Sequence, residues 1–462
     1  MTTLVSSSAF VTALTDELGG RCRVITDGDL LTSYRQDMAT VVPGGMPAAA
    51  VLPRTTADVS AALRLASEHR VPVVPRGAGT SLAGGASAVD GCLVLSTEAM
   101  TTIRALDPLD RTAVVEAGVV NAHLDRAAAE HGLMYAPDPS SFEISTIGGN
   151  VATNAGGLRC VKYGVTRQSV LGLEVVLPDG RIVETGAATT KNVAGYDLTG
   201  LLVGSEGTLA VITAATVRLH RRPVVPPTTI VAAFDALDAA GAAVARIVAT
   251  GPEVLLMELL DGTTLRSIDT WKRMGLSGIE AMLVVQVDGR IPADAELVAE
   301  LCTGAGAVDE PAVSTDPAEA DELLAIRRLA YPAAERLGQC LVEDVGVPVS
   351  RLPEMIRRVE AAAARHGVTV LTVAHAGDGN LHPTFVFDHG EAGIPAPVAA
   401  AADEVFAAAL ELGGTITGEH GVGVLKRDWL ERQVGPDAMA LQRAVKAAFD
   451  PLGLMNPGKV LA

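Results

Sequence analysis

The alternation of apolar and polar residues predicts a regular succession of strands and helices in the first half of the chain. Residues 49–75 combine two apolar runs, AAVLPRT and VPVVP, with the helically spaced stretch TTADVSAALRLASEHR, which predicts strand, helix, strand. Residues 112–120 are β-branched and predict a strand, and residues 121–132 predict a helix ended by a glycine. Apolar runs on both sides of the Pro-Asp-Gly at 178–180 predict a hairpin.

The pattern changes at the proline-rich stretch 220–227, which predicts a domain boundary. Beyond it, alanine-rich helical segments alternate with strand-like runs such as AMLVVQVDG, and this predicts an α+β domain with helices packed on an antiparallel sheet. The tail is helical in pattern and ends in NPGK. We therefore expect domains at 1–221 and 222–412, with a helical C-terminal segment, 413–462, that completes the first domain and the active site.

Composition narrows the class of protein. The formal net charge of −18 disfavours a nucleic-acid partner, because such proteins carry a basic surface. The sequence contains no apolar run of the length that a transmembrane segment needs, and its beginning lacks the basic and apolar regions of a signal peptide. Five scattered cysteines without a C-x-x-C pair are typical of reduced thiols that fill apolar space, not of zinc or iron–sulfur sites. We expect a cytoplasmic protein without a transmembrane segment.

Three glycine-rich or polar motifs carry candidate chemistry. The loop PRGAGTSLAGG at 75–85 can turn backbone N–H groups toward an anion such as a pyrophosphate, although a tight structural loop is an equal alternative for this motif alone. The band PDPSSFEISTIGGNVATNAGG at 137–157 combines small residues with amide and hydroxyl groups, which permits close approach of a flat ligand. The third motif, VGSEGTLAVIT at 203–213, contains Glu206 and Gly207.

In this order, the three motifs resemble the FAD domain of the vanillyl-alcohol-oxidase/p-cresol-methylhydroxylase (PCMH-type) flavoproteins over residues 40–220. The resemblance implies a PCMH-type FAD-binding domain of two α/β subdomains. The first loop would wrap the FAD pyrophosphate, the band would follow the ribityl chain and isoalloxazine, and Glu206 and Ile212 would lie nearer the adenine. The residues that it assigns to FAD binding are Pro75, Arg76, Gly77, Ala78, Gly79, Thr80, Ser81, Gly84, Pro137, Asp138, Thr146, Gly148, Gly149, Asn150, Ala152, Thr153, Asn154, Gly156, Gly157, Tyr163, Gly164, Glu206, Gly207, Ile212 and Asn456.

Some members of this superfamily attach FAD covalently through a histidine or a cysteine. The first loop of this chain contains neither residue, so we expect FAD to be bound non-covalently. Cys160 and His123 are the alternative attachment residues.

A second feature is the stretch AHAGDGNLH at 374–382, which predicts a hairpin. If its Asp-Gly pair forms a two-residue turn, His375 and His382 face each other on one side of the ribbon with Cβ atoms about 4.5–5.5 Å apart. That separation suits two imidazoles around one metal ion, whereas the alternative is a histidine pair that fills a polar sheet face. Pro383 lacks an N–H and therefore predicts an edge strand.

Further along, TGEHGVG at 417–423 places Glu419 beside His420 in a glycine-flanked loop. An acid and an imidazole in such a loop can bind a metal and move a proton, and the alternative is an ordinary loop before a helix. With the histidine hairpin, this loop resembles the FAD-linked D-2-hydroxy-acid dehydrogenases, which comprise the glycolate oxidase FAD subunit, D-lactate dehydrogenase and D-2-hydroxyglutarate dehydrogenase. This resemblance covers nearly the whole chain.

That resemblance implies roles for five side chains. His375, His382 and Glu419 would bind a divalent metal, with Zn2+ and Mn2+ favoured and iron and cobalt compatible with the same ligands. His420 would be the general base, and Arg327 would bind the substrate carboxylate through its planar guanidinium.

Two departures from the hydroxyglutarate enzymes bear on the substrate. Val342 stands where they carry a lysine and Thr384 where they carry an asparagine, which favours glycolate or D-lactate. We expect hydride transfer to flavin N5 and an external electron acceptor, which would be a quinone, an electron-transfer flavoprotein or a partner subunit. A homodimer and a peripheral position at the inner face of the membrane are compatible with the sequence.

Other functions fit parts of the same pattern. Within the hydroxy-acid dehydrogenases, the alternative is a D-2-hydroxyglutarate dehydrogenase. The other alternative functions are a metal-free PCMH-type alcohol or sugar oxidase, a non-catalytic flavoprotein subunit of an electron-transfer complex, and a metal-binding scaffold without flavin.

Overall fold

The computed structural model describes residues 2–390 and 393–461, which form two compact units. The first unit comprises the chain up to residue 156, residues 164–222 and the chain from residue 419 onward. The second unit comprises residues 157–163 and 223–418.

The first unit contains a four-stranded sheet, a five-stranded sheet and a two-stranded ribbon. Its strands are β1 (Arg23–Ile25), β2 (Ala49–Leu52), β3 (Val73–Arg76), β4 (Leu93–Ser96), β5 (Ile103–Asp107), β6 (Thr112–Glu116), β7 (Leu133–Met134), β8 (Val170–Val176), β9 (Ile182–Gly186), β10 (Val211–Arg218) and β11 (His220–Arg221). The four-stranded sheet has the order β1-β2-β4-β3, in which the pairs β2–β4 and β3–β4 are parallel. The antiparallel five-stranded sheet has the order β5-β6-β10-β8-β9, and β11 pairs with β7.

Helices pack on these sheets and connect their strands. They are α1 (Thr2–Leu18), α2 (Gly28–Leu31), α3 (Thr56–His69), α4 (Asn121–Ala129), α5 (Ile147–Thr153), α7 (Thr166–Ser169), α8 (Leu198–Leu202), α15 (Arg427–Val434) and α16 (Pro436–Phe449). Helix α3 begins with a capping box, in which Thr55 accepts from the backbone of Asp58 and the Asp58 carboxylate accepts from the backbone of Thr55. The strand, helix and strand predicted over residues 49–75 are therefore confirmed, as is the hairpin β8–β9.

The helix predicted over residues 121–132 is shorter in the structure. Helix α4 ends at Ala129, and the chain then turns through Gly132 with φ +68°. A glycine takes this left-handed conformation without the steric cost of a Cβ. The glycine therefore marks the end of the turn and not the end of the helix.

The second unit is an α+β layer built on one sheet of eight strands. Its strands are β12 (Thr228–Phe234), β13 (Val254–Asp261), β14 (Ala281–Val287), β15 (Ala312–Ser314), β16 (Gln339–Val342), β17 (Val345–Gly346), β18 (Thr369–His375) and β19 (Asn380–Phe387). Its helices are α6 (Cys160–Tyr163), α9 (Leu237–Thr250), α10 (Gly262–Lys272), α11 (Pro292–Ala305), α12 (Pro317–Glu335), α13 (Leu352–His366) and α14 (Ala396–Glu411). The strand order is β15-β12-β14-β13-β18-β19-β16, β17 also pairs with β19, and every pair is antiparallel, which confirms the predicted sheet.

The turn of the histidine hairpin differs from the prediction. Residues 376–379 connect β18 to β19, so His375 pairs with Asn380, and His382 pairs with Val373. The predicted direct opposition of the two histidines is wrong, because the turn is longer than the Asp-Gly rule implies. The histidines are diagonal neighbours that still share one face, since residues two apart on a strand point the same way.

The predicted edge strand at Pro383 is also wrong. Strand β19 has a neighbour on each side, β18 on one and β16 with β17 on the other. The carbonyl of Pro383 accepts from the backbone of Glu343, which lies in the gap between β16 and β17. Because N–H and C=O of one strand residue point to the same side, the missing N–H of Pro383 faces this interruption of the ladder.

Among the described residues, none of the helices combines the length and apolar character that crossing a bilayer requires.

Candidate functional site

The histidine pair of the second unit is buried and closely packed. His375 ends β18 and His382 lies in β19, and each is 5% exposed. Their ring centroids are 5.0 Å apart with an interplanar angle of 81°, and a nitrogen of one ring lies within 4.8 Å of a nitrogen of the other. Two imidazoles at this spacing can hold one cation.

A third strand places a carboxylate beside this pair. Glu258 in β13 is directly opposite His375 in the sheet and is fully buried. One carboxylate oxygen lies 2.6 Å from His375 Nδ1, and the other accepts a hydrogen bond of 2.8 Å from Arg327 Nε. Arg327 reaches the carboxylate from α12. Glu258 therefore links the residue predicted to bind the substrate with a residue predicted to bind the metal.

The charges of this cluster compensate one another. Burial alone would raise the pKa of Glu258, but the adjacent His375 and Arg327 outweigh burial and hold its pKa below the ordinary value. Glu258 is thus ionised, and His375 Nδ1 is the donor in their contact. Carboxylates orient metal-binding histidines in this way, through the ring nitrogen that does not face the metal. The two imidazoles of His375 and His382 are therefore suitable ligands for a divalent cation.

The two positions that depart from the hydroxyglutarate enzymes form one cross-strand pair. Val342 of β16 is directly opposite Thr384 of β19. Thr384 is two residues after His382 in the same strand, so both side chains point to the same face of the sheet. Any ligand on the histidine face would therefore meet a methyl-bearing pair here, without a charge.

The second unit also fixes the chain just before the predicted Glu-His pair. Asp344, which is fully buried, accepts hydrogen bonds from the Thr417 hydroxyl and from the backbone N–H of Gly418. Gly418 lies against Asn380, since a Cβ at this glycine would be 2.4 Å from the amide oxygen of Asn380. Asn380 is the cross-strand partner of His375.

In the first unit, glycines bring the predicted flavin motifs into contact. A Cβ at Gly77 would lie 2.5 Å from the hydroxyl oxygen of Thr146, the N-cap of α5. A Cβ at Gly207, whose φ is +68°, would lie 3.0 Å from Pro75. The first loop thus touches both the band and the third motif, and a larger side chain at either glycine would separate them.

Asn456 and Asn154 also connect motifs of this unit. The Asn456 amide donates to the carbonyls of Gly85 and Glu206 at 2.8 and 2.7 Å. Asn154 ends α5 in the left-handed region, and its side-chain oxygen accepts from the backbone of Arg167. Both asparagines stabilise the loops around the predicted flavin motifs.

Several buried polar atoms near these motifs have no hydrogen-bond partner among the described residues. Buried polar atoms are normally satisfied, so such a group indicates the place of a ligand or of water. The chemistry of hydroxyl and amide groups beside a glycine-rich loop fits a dinucleotide such as FAD. The atoms are Tyr135 Oη, Ser145 Oγ, Asn150 Nδ2 and Asn456 Oδ1.

Other residues predicted to bind flavin lie outside the contacts described above. Ile212 lies in β10, and its side chain belongs to the apolar core of the five-stranded sheet. Gly157 and Tyr163 belong to the second unit. Gly156 lies against Glu419 within the first unit, because a Cβ there would be 2.3 Å from the Glu419 carboxylate. The carboxylate of Glu206 accepts from the backbone of the loop that follows His420.

Sequence reasoning missed Glu258 and Asp344. Glu258 is a single carboxylate within VLLMELLD, an otherwise apolar strand until its last residue, and an isolated charge in such a run predicts a buried partner. Asp344 follows Glu343 after the strand-like QCLV. Neither pattern identifies the partner, which is far away in sequence.

Comparison with known proteins identifies two matching domain families. Residues 47–186 match the family described as FAD binding domain. Residues 227–460 match the family described as FAD linked oxidases, C-terminal domain.

Relatives match over most of their length. The glycolate oxidase subunit GlcD of Bacillus subtilis (strain 168) is 43% identical over 94% of this chain and 93% of that protein. A D-lactate dehydrogenase of Archaeoglobus fulgidus is 38% identical over 89% of this chain and 90% of its own. Among solved structures, 4-ethylphenol oxidase from Gulosibacter chungangensis and p-cresol methylhydroxylase superpose with TM-scores of 0.81 and 0.78. Each is 17% identical and covers 99% of this chain and 97% of its own, which shows the PCMH-type fold.

Proposed function

The chain belongs to the FAD-linked oxidase family, and from this premise we propose that it oxidises a small 2-hydroxy acid to the 2-oxo acid with FAD and a divalent metal ion. Glycolate and D-lactate are the favoured substrates. The observation that carries the proposal is the buried cluster in which Glu258 joins Arg327 to the histidine pair. A protein that only relayed electrons would have no use for a partly buried guanidinium and paired, buried imidazoles.

His375 and His382 are the proposed metal ligands of the second unit, and Glu419 is the third. Support for Glu419 comes from the residue before it, Gly418, which lies against Asn380 beside the histidine pair. Two imidazoles and one carboxylate leave positions for a substrate and suit Zn2+ or Mn2+.

Arg327 is the proposed anchor of the substrate carboxylate. Its Nε is occupied by Glu258, which fixes the guanidinium plane. The two terminal nitrogens then present parallel donors, the geometry in which arginine binds a carboxylate bidentately.

His420 is the proposed general base. It would take the proton from the 2-hydroxyl oxygen, a role for which the ordinary pKa of histidine is well placed. When bound, FAD supplies the hydride acceptor at N5 and the metal ion supplies positive charge beside the hydroxyl oxygen. The electrons then pass to an external acceptor, for which a quinone, an electron-transfer flavoprotein and a partner subunit are the candidates.

The pair Val342–Thr384 is proposed to limit the size and charge of the substrate. Neither side chain can neutralise a second carboxylate, and both point to the histidine face. A one-carboxylate substrate is therefore favoured over 2-hydroxyglutarate.

The loop 75–85, the band 137–157 and Asn456 are proposed to hold FAD without a covalent bond. The unsatisfied amide and hydroxyl atoms near this loop support that assignment. Trichloroacetic acid precipitation tests it, because non-covalent flavin stays in the supernatant.

The purified flavoprotein is to be mixed anaerobically with glycolate, D-lactate, L-lactate, D-2-hydroxyglutarate and benzyl alcohol while flavin absorbance is followed. We expect rapid bleaching with glycolate or D-lactate, slower bleaching with the others, and loss of bleaching after chelation. His375→Ala should lose both bound metal and bleaching. The matched control His366→Ala removes a histidine of α13 that contacts Glu404 of α14, and this variant should keep both. Fast bleaching by benzyl alcohol without metal would instead support an alcohol oxidase.

A further inference from the structure

Glu206 is a buried carboxylate whose two oxygens are both used by one loop. Its Oε1 accepts from the backbone N–H of Val422 at 2.7 Å, and its Oε2 accepts from the backbone N–H of Gly423 at 2.8 Å. Glu206 is only 8% exposed. These two amides follow directly after Glu419, His420 and the glycine at 421. The carboxylate therefore fixes the backbone immediately after the two residues with functional side chains, Glu419 and His420.

The backbone of Glu206 is itself constrained. Its φ is +51°, a left-handed conformation that few residues other than glycine adopt. The N–H of Glu206 donates to Ala152 of α5, and its carbonyl accepts from the Asn456 amide. A strained backbone held from both sides fixes the direction in which the carboxylate points.

The loop is fitted closely to this carboxylate. Gly421 has φ +87°, and a Cβ there would lie 2.8 Å from Glu206 Oε1. A Cβ at Gly423 would lie 2.1 Å from the carbonyl oxygen of Ala83, which also accepts from the Val424 N–H at 2.8 Å. The loop therefore rests on the glycine-rich motif on one side and on Glu206 on the other.

We propose that Glu206 is the positioning residue for the loop that carries Glu419 and His420. This inference rests on the proposed function, because it gives the loop the metal ligand and the general base. Glu206 acts through the loop backbone: two charge-assisted hydrogen bonds restrict the segment after His420, and so limit the orientations of both functional side chains.

The test compares Glu206→Gln with Glu174→Gln in the FAD-loaded protein. Glutamine keeps the shape but turns an NH2 group toward one of the two amides. Glu174 is a matched control, since its partly buried carboxylate in β8 accepts from the Thr56 and Thr213 hydroxyls away from the loop. Hydrogen exchange of peptides spanning 419–425 should be about tenfold faster in Glu206→Gln and unchanged in Glu174→Gln.

Flavin reduction by the substrate gives the second readout. In Glu206→Gln the reduction rate constant should fall roughly tenfold to a hundredfold with a smaller change in apparent substrate affinity, because the base is misplaced. Its pH profile should also change, and Glu206→Asp, which keeps the charge, should recover part of the rate. Unchanged exchange at 419–425 would overturn the proposal, as would loss of FAD with normal loop protection.

Gly421→Ala tests the same contact if Glu206→Gln does not fold. The methyl group would press on the Glu206 carboxylate, whereas Gly453→Ala adds similar backbone strain, at φ +67°, with no atom within 4 Å. Only Gly421→Ala should loosen residues 419–425, and equal exchange in both variants would contradict the role of Glu206. If the wild type is bleached by no 2-hydroxy acid, the proposed function fails, and the exchange result still decides whether Glu206 holds the loop.

Discussion

Strand β13 carries two buried carboxylates on opposite faces of its sheet, and their surroundings shift their pKa values in opposite directions. Glu258 and Asp261 are 0% and 1% exposed, and their odd spacing directs the side chains to opposite faces. Glu258 contacts the Arg327 guanidinium and the His375 imidazole, whereas Asp261 accepts from the backbone N–H of Thr264 at the start of α10.

The pKa values of the two groups move in opposite directions for that reason. Burial raises the pKa of Asp261 to about 6, with a small further contribution from the charge of Glu360. At Glu258, burial acts in the same direction but is outweighed by His375 and Arg327, so its pKa is lowered. The buried carboxylate beside Arg327 and His375 thus stays ionised on the histidine face of the sheet, while the opposite face holds an acid that is readily protonated.

The largest expected effect comes from removing the negative charge of Glu258, which both Arg327 and His375 contact. Glu258→Gln leaves Arg327 without a counter-charge and His375 Nδ1 without its carboxylate partner, and we expect about 3–5 kcal/mol less free energy of unfolding. Urea unfolding of the second unit can be followed by Trp271 fluorescence in a Trp429→Phe background, since the chain has only two tryptophans. The control Glu253→Gln, whose side chain is 88% exposed, should change little. Equal midpoints for both variants would show that the Glu258 cluster is not a mutually stabilised unit.

The second prediction concerns the pH dependence of stability that Asp261 contributes. The folded pKa of Asp261 is about 6 and its ordinary value is 3.8, so the folded state keeps a proton that the unfolded chain releases. Stability from this group is complete below pH 4 and is lost as pH rises through 6, by about 2–3 kcal/mol at most. Unfolding of Asp261→Asn should lack this pH dependence, as measured at pH 4 to 7 in the same tryptophan background. An identical pH slope in the two proteins would place the titration elsewhere.

The third prediction separates two neighbouring arginines of α12. Arg327 contacts the buried Glu258 at 2.8 Å. Arg328 is 66% exposed, and its nearest carboxylate oxygen, that of Asp321, is 3.9 Å away. Arg327→Ala should raise the apparent KM for D-lactate or glycolate about tenfold to a hundredfold, because a charge-assisted contact to the carboxylate is lost. Arg328→Ala should leave KM within about twofold. If both variants behave alike in flavin reduction assays, Arg327 is not the substrate anchor.

The smallest effect is expected from adding a cation to the histidine face. Val342→Lys should increase the activity with D-2-hydroxyglutarate relative to D-lactate by about tenfold, since a second carboxylate then has a partner. The control Val342→Met adds a side chain of similar length without charge. A gain with methionine as large as that with lysine would indicate a change of space and not of charge.

The sequence predicted the elements and the residue types of the site better than their pairing. The glycine-rich motifs and the strand, helix and strand over residues 49–75 follow from local patterns. The histidine hairpin does not, because its turn is set by distant partners: Ala376 and Gly377 donate to the carbonyl of Met257, and Gly379 accepts from Val347. These bonds lengthen the turn, which local turn propensities cannot anticipate.

Glu258 is a second case in which the sequence pattern does not identify the contact partners. Its place in an apolar strand predicts that some cation compensates it, but Arg327 and His375 are 69 and 117 residues away in sequence. Only the order β14-β13-β18 and the packing of α12 bring them together. Local patterns therefore identify which residues are unusual, and the long-range topology decides what they contact.

The most direct test of the proposed function is anaerobic flavin reduction by D-lactate that carries deuterium at C2, compared with ordinary D-lactate. If the enzyme removes hydride from C2 of a 2-hydroxy acid, the deuterated substrate bleaches the flavin several-fold more slowly, as a primary isotope effect. Equal rates would mean that cleavage of this bond does not limit reduction. Absence of bleaching by D-lactate and by glycolate in the metal-loaded flavoprotein would contradict the proposed function.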